Sequence, residues 1–168
     1  MTPGSRLAGF ALALLCVLGA GAEAAEPSAR LKALQAAATA HYKEGAYKQA
    51  LEAAKQTLAL TIQEFGPDDE QTSIQTYSVA FIAEILGDFA LAERQYRDSL
   101  RIRDKVYGVD SAASSMVMEK LAGVLVRAGR AAEAEPMFEH VLKIRKDLLG
   151  DHVFSASAYG GLADARLA

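Results

Sequence analysis

Side chains able to act as acids, bases, nucleophiles or metal ligands fix what chemistry a chain can attempt. The three histidines, His41, His140 and His152, lie far apart. None stands in a His-Glu-x-x-His pair or beside a cysteine, so the usual ligand spacings of a metal centre are missing. The single cysteine, Cys16, falls inside an apolar N-terminal run. No thiol is left in the rest of the chain for a disulfide, a nucleophile or a metal. No Gly-x-x-x-x-Gly-Lys loop and no nucleophile elbow occur. Asp68 and Asp69 are adjacent carboxylates, but they precede a periodic apolar segment, where such residues cap free backbone amides. Arg94, Arg97, Arg101 and Lys105 fall along one side of a segment and could gather an anion. Glu93, Asp98 and Asp104 are interleaved with them, with Glu93 and Arg97, and Arg94 and Asp98, four residues apart. That spacing pairs opposite charges on a helix, so the strip reads as a solvated outer face. The expectation is a protein that is not an enzyme and holds no cofactor or metal.

The elements that carry these residues follow from composition. Of the 168 residues 51% are hydrophobic and 23% charged, enough for one domain. Alanine is abundant, proline numbers 4, and asparagine and tryptophan are absent, a balance that favours helix over strand. A formal charge of -3 gives no field that would collect phosphates, so nucleic acid is not an expected partner. At the N-terminus Arg6 precedes an apolar run from Leu7 to Leu18, and small residues follow at Ala20, Ala22 and Ala24. This is the pattern of a secretory signal. Residues 1–24 are therefore read as a signal and 25–168 as the folded domain, with cleavage after Ala22 or Ala24. The run is short of the roughly 20 residues a spanning helix needs, which disfavours an uncleaved anchor. Leu15 before Cys16 is too large for a lipoprotein signal. The mature chain is expected to be exported, to the periplasm or outside the cell, with no membrane span.

A 42-residue period organises the remainder. Gly66, Gly108 and Gly150 keep that interval, as do Gly45, Gly87 and Gly129, Ala50, Ala92 and Ala134, and Ala38, Ala80 and Ala122. Four position classes with one period mark a repeat array. Each unit reads as two helices punctuated by glycines. The spacing predicts helices over 29–44, 47–65, 70–86, 89–107, 112–128, 131–149 and 153–167, with Asp68 and Asp69, Asp110 and Ser111, and Asp151 at unit starts. Pro136 should bend the first turns of the sixth helix. Beyond Gly150 the interval shortens by one, since Ala163 lies 13 after Gly150 whereas Ala122 lies 14 after Gly108.

The turns Gly45-Ala46-Tyr47-Lys48-Gln49-Ala50 and Gly87-Asp88-Phe89-Ala90-Leu91-Ala92 resemble the inter-helix turn of the tetratricopeptide repeat, and the 42-residue spacing is similar to the kinesin light chain variant. The third copy departs, with Ala131 in place of the aromatic. HEAT and armadillo arrays share the period but not this turn. The resemblance covers about residues 29–168. It implies an all-α, right-handed solenoid of antiparallel helix pairs, three repeats plus a terminal helix, that binds a protein or peptide partner as a scaffold or adaptor. By position, the implied concave groove presents Gln35, Thr39, Tyr42 and Lys43, then Ile74, Tyr77, Phe81, Glu84 and Ile85, then Met116, Glu119, Lys120 and Arg127. The carboxylate clamp of some such grooves uses asparagine, which this chain lacks.

Two stripes on the third helix test that reading. Val79, Ile82, Ala83 and Leu86 form one, and Ile74, Tyr77, Phe81 and Ile85 the other. The second is either groove or packing against neighbouring first helices. A competing reading is a structural, self-assembling element, because Tyr159 and Leu162 of the seventh helix are expected to lack a covering partner.

Overall fold

The computed structural model describes residues 26–149 and 156–167. The N-terminal run expected to be a signal, with Cys16 and both cleavage frames, Gly150, Asp151, His152 and the expected start of the seventh helix lie outside the described residues. Among those described there are seven helices and no strand: α1 (Ala29–Lys43), α2 (Tyr47–Phe65), α3 (Glu70–Ile85), α4 (Phe89–Tyr107), α5 (Ala112–Arg127), α6 (Ala131–Leu149) and α7 (Ala156–Leu167). Each packs on the next, and α5 also meets α7. The result is a solenoid of antiparallel pairs.

Backbone chemistry sets the links between pairs. Gly66 and Gly108 take φ of 95° and 91° with ψ of 165° and 153°, a region essentially reserved for glycine. Their N–H groups donate to Ile62 O and Asp104 O, closing α2 and α4. The carbonyls of the same glycines accept from the Thr72 hydroxyl at 2.6 Å and the Ser114 hydroxyl at 3.0 Å. Thr72 and Ser114 are themselves 42 apart, so the repeat carries its own clasp for a helix-end carbonyl. The acidic starts divide their labour. Asp69 caps α3 by accepting from Gln71 N at 2.8 Å, and Ser111 caps α5 by accepting from Ser114 N at 3.1 Å. Asp68 does not cap: it accepts from Arg101 and Lys105 of α4, each at 2.6 Å. Asp110 likewise meets His140 Nε2 of α6 at 2.8 Å.

The small residues lie where helices cross. Ala50, Ala92 and Ala134 are fully buried, as are Ala80 and Ala122, while Ala38 is only half-buried. Between α3 and α4 the Ser99 hydroxyl donates to Ser73 O at 3.0 Å, and Arg103 Nε donates to the Ser73 hydroxyl at 3.0 Å. These buried polar groups thus satisfy one another. Helix α6 continues through Pro136. The shortened interval after Gly150 is absorbed as a register change: Val117, Leu121 and Val124 map 41 residues on to Ala158, Leu162 and Ala165, and all six are buried.

Three expectations are corrected. Leu86 is the C-cap of α3 and is exposed, so it does not extend the core stripe of Val79, Ile82 and Ala83. Leu162 is covered, because the 41-residue register turns it toward the core cluster that contains Phe138 and Val141; Tyr159 alone of that pair is exposed. On α4, Arg97 pairs with Glu93, but Arg101 and Lys105 reach across the link to Asp68 and no Arg94–Asp98 bridge forms among the described residues.

Candidate protein-binding face

The 42-residue period repeats equivalent positions on the first helices α1, α3 and α5, and two depressions are lined from them, one by α1 and α3 and one by α3, α5 and α7. One class is Gln35, Tyr77 and Glu119; another is Thr39, Phe81 and Gly123. Chemistry changes along each class, so the face is not uniform.

Between α1 and α3 lies a groove of about 380 Å³ walled by Gln35, Thr39 and Tyr42 on one side and Gln75, Tyr77, Ser78 and Phe81 on the other, with Ala38, Ala54 and Ile82 beneath. Tyr42 and Phe81 meet at 6.0 Å between ring centroids, Tyr77 and Phe81 stack at 6.4 Å with planes 6° apart, and Tyr77 meets Tyr96 edge-on at 5.4 Å. Cations lie over two of these rings: Arg103 over Tyr77 at 5.7 Å and Lys120 over Phe81 at 5.6 Å, within the range of cation–π attraction. Burial pushes the Tyr77 phenol above its usual pKa, and Tyr96 further still. Both remain neutral at any physiological pH. The Thr39 and Ser78 hydroxyls donate back to Gln35 O and Ile74 O of their own helices. The side-chain amides of Gln35 and Gln75 make no hydrogen bond among the described residues.

Further along, between α5 and α7, a second depression is lined by Glu84, Glu119, Lys120, Gly123, Phe138, Ser157, Gly161 and Asp164. Here ion pairs predominate. Glu119 accepts from Arg145 at 2.5 Å. Glu84 accepts from the Tyr96 hydroxyl at 2.6 Å and also bridges to Arg127, which lies over the Phe89 ring at 5.3 Å. Arg103 and Arg145 are 42 apart, as are Tyr77 and Glu119. The same two repeat positions therefore make a cation–π contact in one unit and a salt bridge in the next.

A family model for the tetratricopeptide repeat matches residues 29–105, 72–147 and 112–168. The chain belongs to the tetratricopeptide repeat family. No curated protein matches it. Among solved structures it is similar to a Podosopora anserina protein described as a kinesin light chain with nearly identical repeats, at 19% identity and a TM-score of 0.72, covering 82% of this chain and 66% of that one. BtubC (BKLC) of P. vanneervenii gives 19% and 0.67, with 82% and 59% covered. The type III secretion translocator chaperone SycD of Yersinia enterocolitica gives 19% and 0.62, with 84% and 88% covered. The chain thus spans just under two thirds of the length of the kinesin light chain-like relative. At these identities the likeness is one of fold: an all-helical tetratricopeptide solenoid.

Within the tetratricopeptide array the expected groove residues separate into groups. Gln35, Thr39, Tyr42, Tyr77 and Phe81 share the α1/α3 groove, and Glu84, Glu119 and Lys120 share the second depression. Arg127 is tied to Glu84. Ile74, Ile85 and Met116 are exposed and line neither, and Lys43 is exposed at the end of α1. On the second stripe of α3, Tyr77 and Phe81 are half-buried, so they are at once packing and surface. Sequence reasoning missed Gln75, Ser78, Gly161 and Asp164. Ser78 stands 42 before Lys120, and Gly161 and Asp164 stand 41 after Lys120 and Gly123; carrying the period through would have found them. Gln75 had no such signal, because its counterpart 42 residues on is Val117, a core residue.

Proposed function

We propose that this protein is an exported scaffold or adaptor that binds a protein partner along the face of its first helices, and that it performs no catalysis. The observation that carries the reading is the open, aromatic α1/α3 groove within a tetratricopeptide array. Half-exposed rings grouped in a groove form the kind of patch that marks an interaction site. The N-terminal apolar run with its small-residue cleavage frames supports export to the periplasm or beyond. Among the described residues no helix is long and apolar enough to cross a membrane. The description of SycD as a type III secretion translocator chaperone fits the same reading.

Affinity capture from an envelope extract with wild type and Phe81→Ala tests the groove: a partner recovered equally well by both would refute it. Intact-mass measurement of exported protein should show a start at Glu23 or Ala25; a chain that retains Cys16 would overturn removal of the N-terminal run as a signal. A second reading, self-association through α7, is favoured by Tyr159 at 60% exposure. Light scattering after size exclusion, with Tyr159→Ser as control, decides between a monomer and an assembly.

A further inference from the structure

The α1/α3 groove exists because one repeat position is left empty. Ala54, Tyr96 and Phe138 are spaced by 42 and occupy the same place in the second helix of each pair. Tyr96 is completely buried and sends its ring and hydroxyl toward Tyr77 and Glu84 of α3. Phe138 is buried beneath Gly161 so tightly that a Cβ there would lie 2.4 Å from the ring. In the first pair the side chain is a single methyl group, and the groove of about 380 Å³ opens above it, walled by Tyr42, Tyr77 and Phe81.

We infer that the groove over Ala54 receives an aromatic side chain of the partner, which supplies the ring that this repeat omits. The inference rests on the scaffold reading and names the chemistry of its ligand. No Asp, Glu, Lys, Arg or His lines the groove, and Arg103 and Lys120 are engaged over the Tyr77 and Phe81 rings, so a charged side chain placed there would lose its hydration without an ionic partner in the lining. Aromatic walls reward a ring by edge-on and offset contacts. Gln35 and Gln75 face the groove from opposite helices with carboxamides that bond nothing among the described residues. Each offers a donor and an acceptor, which suits the main chain of an extended segment on either side of the inserted ring. The partner segment is therefore an extended peptide with one aromatic residue and uncharged neighbours.

A random dodecapeptide library displayed on phage, panned against wild type, Ala54→Phe and Phe81→Ala, tests this. Wild type should select peptides with an aromatic residue at one fixed position and no charge beside it. Ala54→Phe, which copies the solution of the later repeats, should weaken their binding at least tenfold while the melting temperature holds or rises. Should Ala54→Phe fail to fold, N-acetylphenylalanine amide titrated into wild type must shift the side-chain amide signals of Gln35 and Gln75, with N-acetylaspartate amide leaving them still. Selected peptides anchored by a charged residue, or peptides that bind Ala54→Phe as well as wild type, would overturn the inference; if these are still lost with Phe81→Ala, the groove reading survives. No selected peptide at all would remove both.

Discussion

The two halves of the candidate face are built from the same repeat positions and solve the same packing problem differently. In the α1/α3 half, neutral and aromatic groups fill the surface, and the core beneath is the smaller cluster of Ala50, Leu51, Ala54, Val79 and Ile82. In the α5/α7 half, carboxylates are bridged to arginines over a larger core that contains Met118, Leu121, Phe138 and Val141. The links differ as well: Asp68 holds Arg101 and Lys105 of α4, whereas Asp110 meets His140 of α6. A repeat period therefore fixes where a side chain goes without fixing what it does. The half with the smaller core carries the open groove, and the half with the filled aromatic positions carries the anchoring mass.

The sharpest test of that division is Gly161→Ala. The added methyl would meet the buried Phe138 ring, whereas the same change at Gly123 meets nothing within 4 Å. Overpacking at Gly161 is expected to cost about 2–3 kcal/mol. Gly123→Ala should instead be neutral or stabilising by up to about 1 kcal/mol through helix propensity. Denaturant melts of the two variants compare them, and equal losses would mean that α7 is not held against Phe138.

Next in size is Phe81→Ala. A fully buried phenylalanine loses about 3–5 kcal/mol on such truncation. Phe81 is half-buried, so about 1.5–2 kcal/mol is expected in the same melts. A loss at the upper end of the buried range would assign the ring to the core and remove it from the groove.

Glu119→Ala probes the interchange of ring and carboxylate. It removes the carboxylate facing Arg145 in a mostly buried site, at an expected cost of about 1.5 kcal/mol, the low end for a hydrogen bond between charged groups. Glu119→Tyr restores the pairing found at Arg103 and Tyr77 and should regain more than half of that loss. Failure of tyrosine to rescue would show that the two units are not interchangeable at this position.

The smallest effect is in acid. Hydrogen bonds first from Lys105 and then from Arg101 hold the Asp68 carboxyl below its ordinary pKa. A group with a depressed folded pKa contributes stability above its unfolded value and loses it as pH falls through the folded one. The melting temperature of wild type should therefore decline below about pH 4, and Asp68→Asn should make that decline shallower. Because the Asp68 side chain is partly exposed, the difference should shrink in high salt.

Much of this was legible in the letters. The helix limits follow from glycines and caps that act within a few residues, and the small positions Ala50, Ala92 and Ala134 announced themselves by recurrence alone. Gly66 and Gly108 needed only local backbone sterics to stop a helix. Tertiary structure decided what local signals do not encode: that Asp68 reaches across a link to α4 while Asp69 beside it caps α3, that the register after Gly150 turns Leu162 inward and leaves Tyr159 out, and that Gln75 borders a groove although its repeat counterpart Val117 is core. The groove itself needed both. Periodicity aligns Ala54 with Tyr96 and Phe138, but only the packing of α1 against α3 shows that the missing ring leaves open space, because a void depends on whether its neighbours close over it.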